Sequence, residues 1–414
     1  MKNPIIYSLG SVFCYLVCIL TLFACSDDNS PLEKSHNEKL NSILYEKTIT
    51  LRETLEDVFV QYEVTDEMLG PYQTFVDMLL TLPVKYKVYA ITYHTVSPTG
   101  SAVNASGVVY YPMSTIPKGV IEVTPVNKSK ETCGTQRCTM AEILPAMLGY
   151  ICLVPDLIGC GSTANLPISY LQHENVAIVS ADFRQAATEL INQKYRNDLS
   201  KESILFGYSL GGSGTMALAR YYSQHPDLGV TVSHIFAGGG AYNPFDVIKA
   251  LLAQSRSDYA IIPNILYSMN FYDNLELDFS EIFKGELLEN YQQWCDGYLS
   301  IVDLTKKLGN NVSNYLTDKL LKEVQTSEDF KSLRAALEKK VIPYDWFPKG
   351  KVHLFHSKYD YYVPTLCGDN MYLYLKDVGA DVTYKLYEAE HVEGGLLMEI
   401  DFAKFLLELQ YGHP

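Results

Sequence analysis

Three short stretches carry residue types suited to nucleophilic catalysis. The first is Gly207-Tyr208-Ser209-Leu210-Gly211. It joins an apolar run, Ser203-Ile204-Leu205-Phe206, to a run of small residues, Gly211-Gly212-Ser213-Gly214-Thr215-Met216-Ala217-Leu218-Ala219. A strand, one serine and a helix start would push the serine Oγ out of a sheet at a strained turn. Glycines two residues to either side would let strand and helix approach there. The helix would aim its first N–H groups at charge developing near Oγ.

A serine hydroxyl is a poor nucleophile at neutral pH. It needs a general base within hydrogen-bond reach, and the base needs a partner to fix its tautomer. Among nine histidines the candidate base is His391, in Tyr387-Glu388-Ala389-Glu390-His391-Val392-Glu393-Gly394-Gly395. It follows the last predicted strand and precedes the last predicted helix. Asp360 is the candidate acid, in His356-Ser357-Lys358-Tyr359-Asp360-Tyr361-Tyr362-Val363-Pro364, just after another predicted strand. Each has a plain alternative: a glycine turn, a surface histidine, a turn-forming aspartate. Three such residues, each directly after a strand, together point to acyl transfer. That chemistry requires neither metal nor cofactor, and the chain has no His-Glu-x-x-His, phosphate-binding loop or dinucleotide fingerprint.

The elements that must position these residues follow from hydrophobic pattern. Eight strands are predicted: Tyr86–Tyr93, Ser106–Tyr111, Gly119–Val126, Gly149–Val154, Ser203–Phe206, Val232–Ala237, Lys351–His356 and Val382–Tyr387. Tyr86–Tyr93 alternates and reads as an antiparallel edge strand. The later ones are short continuous apolar runs, as expected of parallel strands covered on both faces. Helical stretches lie between them at Met140–Leu148, Glu174–Ile191, Gly214–Ser223, Leu366–Lys376 and Gly395–Leu409. This is an α/β pattern with a mostly parallel sheet. From 243 to 348 helical periodicity replaces the alternation, which predicts a helical cap or lid inserted between strands six and seven. Residues 48–242 and 349–414 form the two parts of the core. Thr48 to Leu82 also reads as helical.

The chain resembles α/β-hydrolases over almost everything after residue 47. The order Ser209, Asp360, His391, the Asp-x-x-Val-Pro run and the His-x-x-Gly-Gly run carry the likeness. Within that superfamily it is similar to secreted lipases and esterases of the Candida lipase A type and their bacterial relatives. Val154-Pro155-Asp156-Leu157-Ile158-Gly159-Cys160-Gly161 and Pro167-Ile168-Ser169-Tyr170-Leu171 resemble segments of those enzymes. The resemblance implies a carboxylic-ester hydrolase acting on a small-molecule, lipid or glycan ester. It also implies an oxyanion hole whose first donor is the N–H of Leu210. Relatives often carry His-Gly after the third strand to supply a second donor. Here the stretch is Val123-Thr124-Pro125-Val126-Asn127, so that donor falls to Val126 or Asn127. A serine exopeptidase on the same fold and a non-catalytic binding lipoprotein are the competing expectations.

Composition narrows the partners. A net charge of −15 repels a phosphate backbone, which excludes nucleic acid. At the N-terminus Lys2 precedes an apolar run from Ile5 to Phe23, then Leu22-Phe23-Ala24-Cys25 and polar Ser26-Asp27-Asp28-Asn29-Ser30. That is a secretory signal at 1–24. Leu-x-Ala-Cys resembles a bacterial lipobox, which implies lipidation of Cys25. The acidic residues after it look like a surface-export signal of some Gram-negative lipoproteins. The expected location is extracytoplasmic: an outer-membrane lipoprotein, periplasmic or cell-surface, with a polar linker at 25–47. An oxidising compartment permits disulfides, and Cys133-Gly-Thr-Gln-Arg-Cys138 could close a tight loop. Cys152, inside an apolar run, reads as a buried free thiol.

Overall fold

The computed structural model describes residues 38–412. The expected signal segment, Cys25 and residues 26–37 of the expected linker lie outside them. Nine strands form one sheet in the order β1-β2-β3-β5-β4-β6-β7-β8-β9. They are β1 (Leu40–Thr50), β2 (Lys85–Val96), β3 (Ala102–Pro112), β4 (Val120–Val123), β5 (Ile151–Pro155), β6 (Glu202–Tyr208), β7 (Thr231–Gly238), β8 (Lys351–Ser357) and β9 (Val382–Tyr387). The first three are antiparallel, and β3 runs antiparallel to β5. From β5 through β4 to β9 every pairing is parallel.

One strand more than expected is present. Leu40–Thr50 pairs with β2 along its length, so β2 is not the edge strand and the linker does not reach residue 47. The sequence Leu-Asn-Ser-Ile-Leu-Tyr-Glu-Lys-Thr-Ile-Thr hid this. An edge strand pairs on one side only, and its outward side chains face water and are polar, so its composition imitates a linker. A second departure lies at Met140–Leu148, which forms two separate 3₁₀ turns, Ala141–Ile143 and Ala146–Leu148. Pro145 stands between them; it lacks the N–H that a continuous helix would use.

The helices are α1 (Leu51–Gln61), α2 (Asp66–Leu69), α3 (Gln73–Thr81), α4 (His173–Tyr195), α5 (Leu210–Gln224), α6 (Pro244–Leu252), α7 (Ile262–Tyr272), α8 (Glu286–Trp294), α9 (Ile301–Leu308), α10 (Asp318–Glu323), α11 (Lys331–Lys339), α12 (Thr365–Asp377) and α13 (His391–Tyr411). The helix α1 starts at a capping box in which Thr50 and Glu53 satisfy each other's backbone N–H. On one face of the sheet α13 sets Phe402 against Phe206 and Phe236, with ring centroids 4.6 and 4.5 Å apart. Under α4 and α5, the buried Arg184 pairs with Glu122 at 2.7 Å, and Tyr222 donates to the same carboxylate at 2.7 Å. A buried charge pair persists only when its remaining lone pairs are also bonded, as here.

Helices α6 to α11 fill the stretch between β7 and β8. Their apolar faces belong to one continuous cluster with α5: Met216 and Leu218 share it with Val247, Ile265, Leu304 and Leu333. The insertion therefore buries its apolar surface against the sheet domain and has no separate core. Among the described residues no helix is long and apolar enough to cross a membrane.

Candidate active site

The strand β6 ends at Tyr208 and α5 begins at Leu210, leaving Ser209 alone at the turn. Its backbone has φ 57° and ψ −123°, a conformation that side-chain-bearing residues rarely adopt. The strain is held by neighbours. Ser209 N–H donates to Gly238 O at 2.9 Å. A Cβ on Gly207 would lie 2.4 Å from Gly211 O, and one on Gly211 would lie 2.2 Å from Thr124 O. Only glycine permits this approach of strand, helix and β4 loop.

The three chemistry-bearing side chains meet. His391 Nε2 lies 2.8 Å from Ser209 Oγ, and His391 Nδ1 lies 2.5 Å from Asp360 Oδ2. The other carboxylate oxygen of Asp360 accepts the N–H groups of Tyr362 and Val363 at 2.9 and 2.8 Å. Both His391 and Asp360 are buried. This arrangement fixes the tautomer: Nδ1–H donates to the carboxylate, which leaves Nε2 free to accept the serine proton.

Three neighbours escaped sequence reasoning. The Tyr208 hydroxyl donates to the His391 carbonyl at 2.6 Å. His356, four residues before Asp360, donates from Nε2 to Val363 O at 3.0 Å, with Nε2 3.5 Å from Asp360 Oδ2. Burial pushes its pKa down, which favours the neutral ring. Tyr362 stands edge-on to the His391 ring, with centroids 5.4 Å apart. Nothing local marks these residues; the spacing of His356 and Asp360 was the one available signal.

Leu210 and Asn127 line the same cavity as Ser209 and His391, whereas Val126 packs against the apolar cluster that includes Phe206 and Phe402. The Leu210 N–H lies in the first turn of α5, where no intrahelical acceptor exists. Asn127 Nδ2 donates to the Tyr259 hydroxyl at 2.6 Å. The cavity measures about 60 Å³. A larger cleft of about 490 Å³, lined by Lys118, Glu202 and Tyr411 among others, lies at the N-terminal ends of β4 and β6 and holds none of the three residues.

The bridge that Cys133 and Cys138 could have closed does not form. Both are buried free thiols, as are Cys152, Cys160, Cys295 and Cys367. Cys133 packs with Cys160, while Cys138 packs in the cluster on the other side. The Cys160 thiol hydrogen-bonds to Cys133 and pulls its pKa down. Among the described residues no group of three or more His, Cys, Asp or Glu could hold a metal ion.

No family model and no curated protein sequence matches the chain. Solved structures do. A provisionally assigned hydrolase from Legionella pneumophila is similar at a TM-score of 0.75 and 22% identity, over 91% of this chain and 100% of that one. The rice cell wall degrading esterase LipA from Xanthomonas oryzae is similar at 0.67 and 18%, over 89% and 98%. Candida antarctica lipase A in its closed state is similar at 0.59 and 12%, over 90% and 83%. The chain has the α/β-hydrolase fold and resembles lipases and esterases of the Candida lipase A type.

Proposed function

We propose that the chain is a serine hydrolase of carboxylic esters that works through an acyl-enzyme. The observation that carries this reading is the unbroken hydrogen-bond line from Ser209 through His391 to Asp360. His391 Nε2 takes the Ser209 proton as Oγ attacks the ester carbonyl. Asp360 holds the ring and stabilises its charged form. The Leu210 N–H and a backbone N–H of the loop after Pro125 receive the developing oxyanion, with Asn127 favoured over Val126 by its place in the cavity wall. The alcohol leaves with the proton from His391, and water repeats the sequence to release the acid.

A panel of nitrophenyl esters run beside aminoacyl-anilides, with Ser209→Ala as control, tests this. Ester turnover that vanishes in Ser209→Ala is expected. Turnover that survives the substitution overturns the mechanism. Amide cleavage without ester cleavage favours the exopeptidase, and no turnover with either favours a binding protein.

The N-terminal pattern supports an extracytoplasmic lipoprotein acylated at Cys25. Incorporation of an alkyne-tagged fatty acid that is lost in Cys25→Ala tests that placement.

A further inference from the structure

The space at Ser209 is small, and its walls are tied down. Binding sites for drug-sized ligands occupy about 300–1,000 Å³, whereas the cavity here is about 60 Å³. A dry cavity of about 150 Å³ takes up one benzene. By that measure the cavity at Ser209 holds two or three carbon-sized groups. Its apolar wall is Val247 and Leu251 of α6, Ile261 and Ile265 at α7, and Leu210. Close-packed branched side chains of this kind do not yield without disturbing their neighbours.

The wall contributed by the insertion is also bonded to the sheet domain. Ser268 Oγ accepts the Tyr170 N–H at 3.0 Å, and the Tyr272 hydroxyl donates to Pro167 O at 2.6 Å. The Tyr259 hydroxyl accepts from Asn127 at 2.6 Å. Lys340 Nζ, almost wholly buried, bridges Gln172 Oε1 at 2.8 Å and Asp273 Oδ1 at 2.7 Å. Swinging α7 away would strip partners from several buried polar groups at once, which is unfavourable.

During hydrolysis only the acyl half of the ester stays in this space. The Oγ–C bond forms as the Oγ proton passes to His391. The C–O bond to the alcohol then breaks, and the alcohol leaves with that proton. Water adds to the acyl carbon, restoring the Ser209 hydroxyl and releasing the acid. The carbons next to the ester carbonyl must fit the cavity through both steps, and a longer tail would have to run out through its open side. We propose, building on the ester-hydrolase reading, that the substrates are esters of short acids, acetyl to about butyryl in length, and not long-chain lipid esters.

The test is kcat/KM for acetyl, butyryl, octanoyl and palmitoyl nitrophenyl esters with the full chain. Each methylene that does not fit a pocket costs about tenfold or more, so octanoyl should fall at least about tenfold below butyryl and palmitoyl further still. Leu251→Ala and Ile265→Ala should move the optimum to longer chains. If either variant fails to fold, rates of Ser209 labelling by short- and long-alkyl fluorophosphonates on the unaltered protein give the same comparison. Octanoyl or palmitoyl turnover equal to acetyl turnover, and abolished by Ser209→Ala, overturns the short-acyl inference and leaves the ester-hydrolase reading intact. No ester turnover at any length overturns both.

Discussion

The hydroxyl of Tyr208 and the backbone carbonyl of His391 are joined by a 2.6 Å hydrogen bond. The residue before the proposed nucleophile thereby holds the residue proposed to activate it. The Tyr208 and His391 rings also lie 5.1 Å apart. Tyr208→Phe keeps the ring and removes the donor, while the His391 carbonyl keeps its place in the first turn of α13. The expected loss is about 1 kcal/mol of stability and a fall in kcat of up to about tenfold with KM unchanged. Denaturant midpoints and steady-state kinetics check both numbers. A changed KM with unchanged kcat would argue that Tyr208 shapes the cavity instead.

Asp360→Asn should leave the fold intact, since the Tyr362 and Val363 N–H groups can still bond the carboxamide oxygen. Turnover should drop about 10³–10⁴-fold, because the amide no longer favours the productive His391 tautomer. Equal melting temperatures with that loss of kcat would place the effect in chemistry. A drop below tenfold would show that another carboxylate orients His391.

Gly211→Ala tests the turn. Its Cβ would meet the Thr124 carbonyl at 2.2 Å, and that contact is backbone on both sides. Neither side can rotate out of the way, so overpacking should cost about 3 kcal/mol and activity should fall as well. A soluble, fully active variant with an unchanged melting temperature would contradict the geometry.

His173 makes stability depend on pH. It is buried, its Nδ1–H donates to Lys340 O at 2.8 Å, and its Nε2 has no hydrogen-bond partner. Burial pushes its pKa down to about 4, against about 6.5 in an unfolded chain. Between those values the unfolded chain binds the proton and the folded one does not. Stability is therefore full above about pH 6.5 and lost as pH falls toward 4, by up to about 3 kcal/mol. His173→Asn removes the titrating group and keeps a donor near Nδ1. Its unfolding free energy should fall less than that of the unaltered protein between pH 7 and pH 4.5; an equal fall would place the sensitivity elsewhere.

The meeting of Ser209, Asp360 and His391 was legible because the proposed chemistry demands particular residue types in loops after strands, and apolar runs mark the strands. Tyr208, Tyr259 and Tyr362 were not, being three of 32 tyrosines distinguished only by what the fold brings beside them. The Cys133 contact shows the same limit. Its neighbour in sequence is Cys138, but the loop turns its side chain toward Cys160. The strand β1 was missed for a different reason, because solvent on one side gives an edge strand the composition of a linker. The size of the space at Ser209 depends on side chains from α5, α6 and α7 together, and no single stretch reveals it.

The edge strand β1 does more than complete the sheet. The N–H groups of Lys39 and Leu40 both donate to the Glu189 carboxylate, at 2.9 and 2.8 Å, and Lys39 Nζ pairs with Asp182 at 2.7 Å. The chain is thus pinned to α4 at the point where the sheet begins. Force applied to the chain ahead of residue 39 would meet these bonds first and reach the hydrogen bonds between β1 and β2 only after they part.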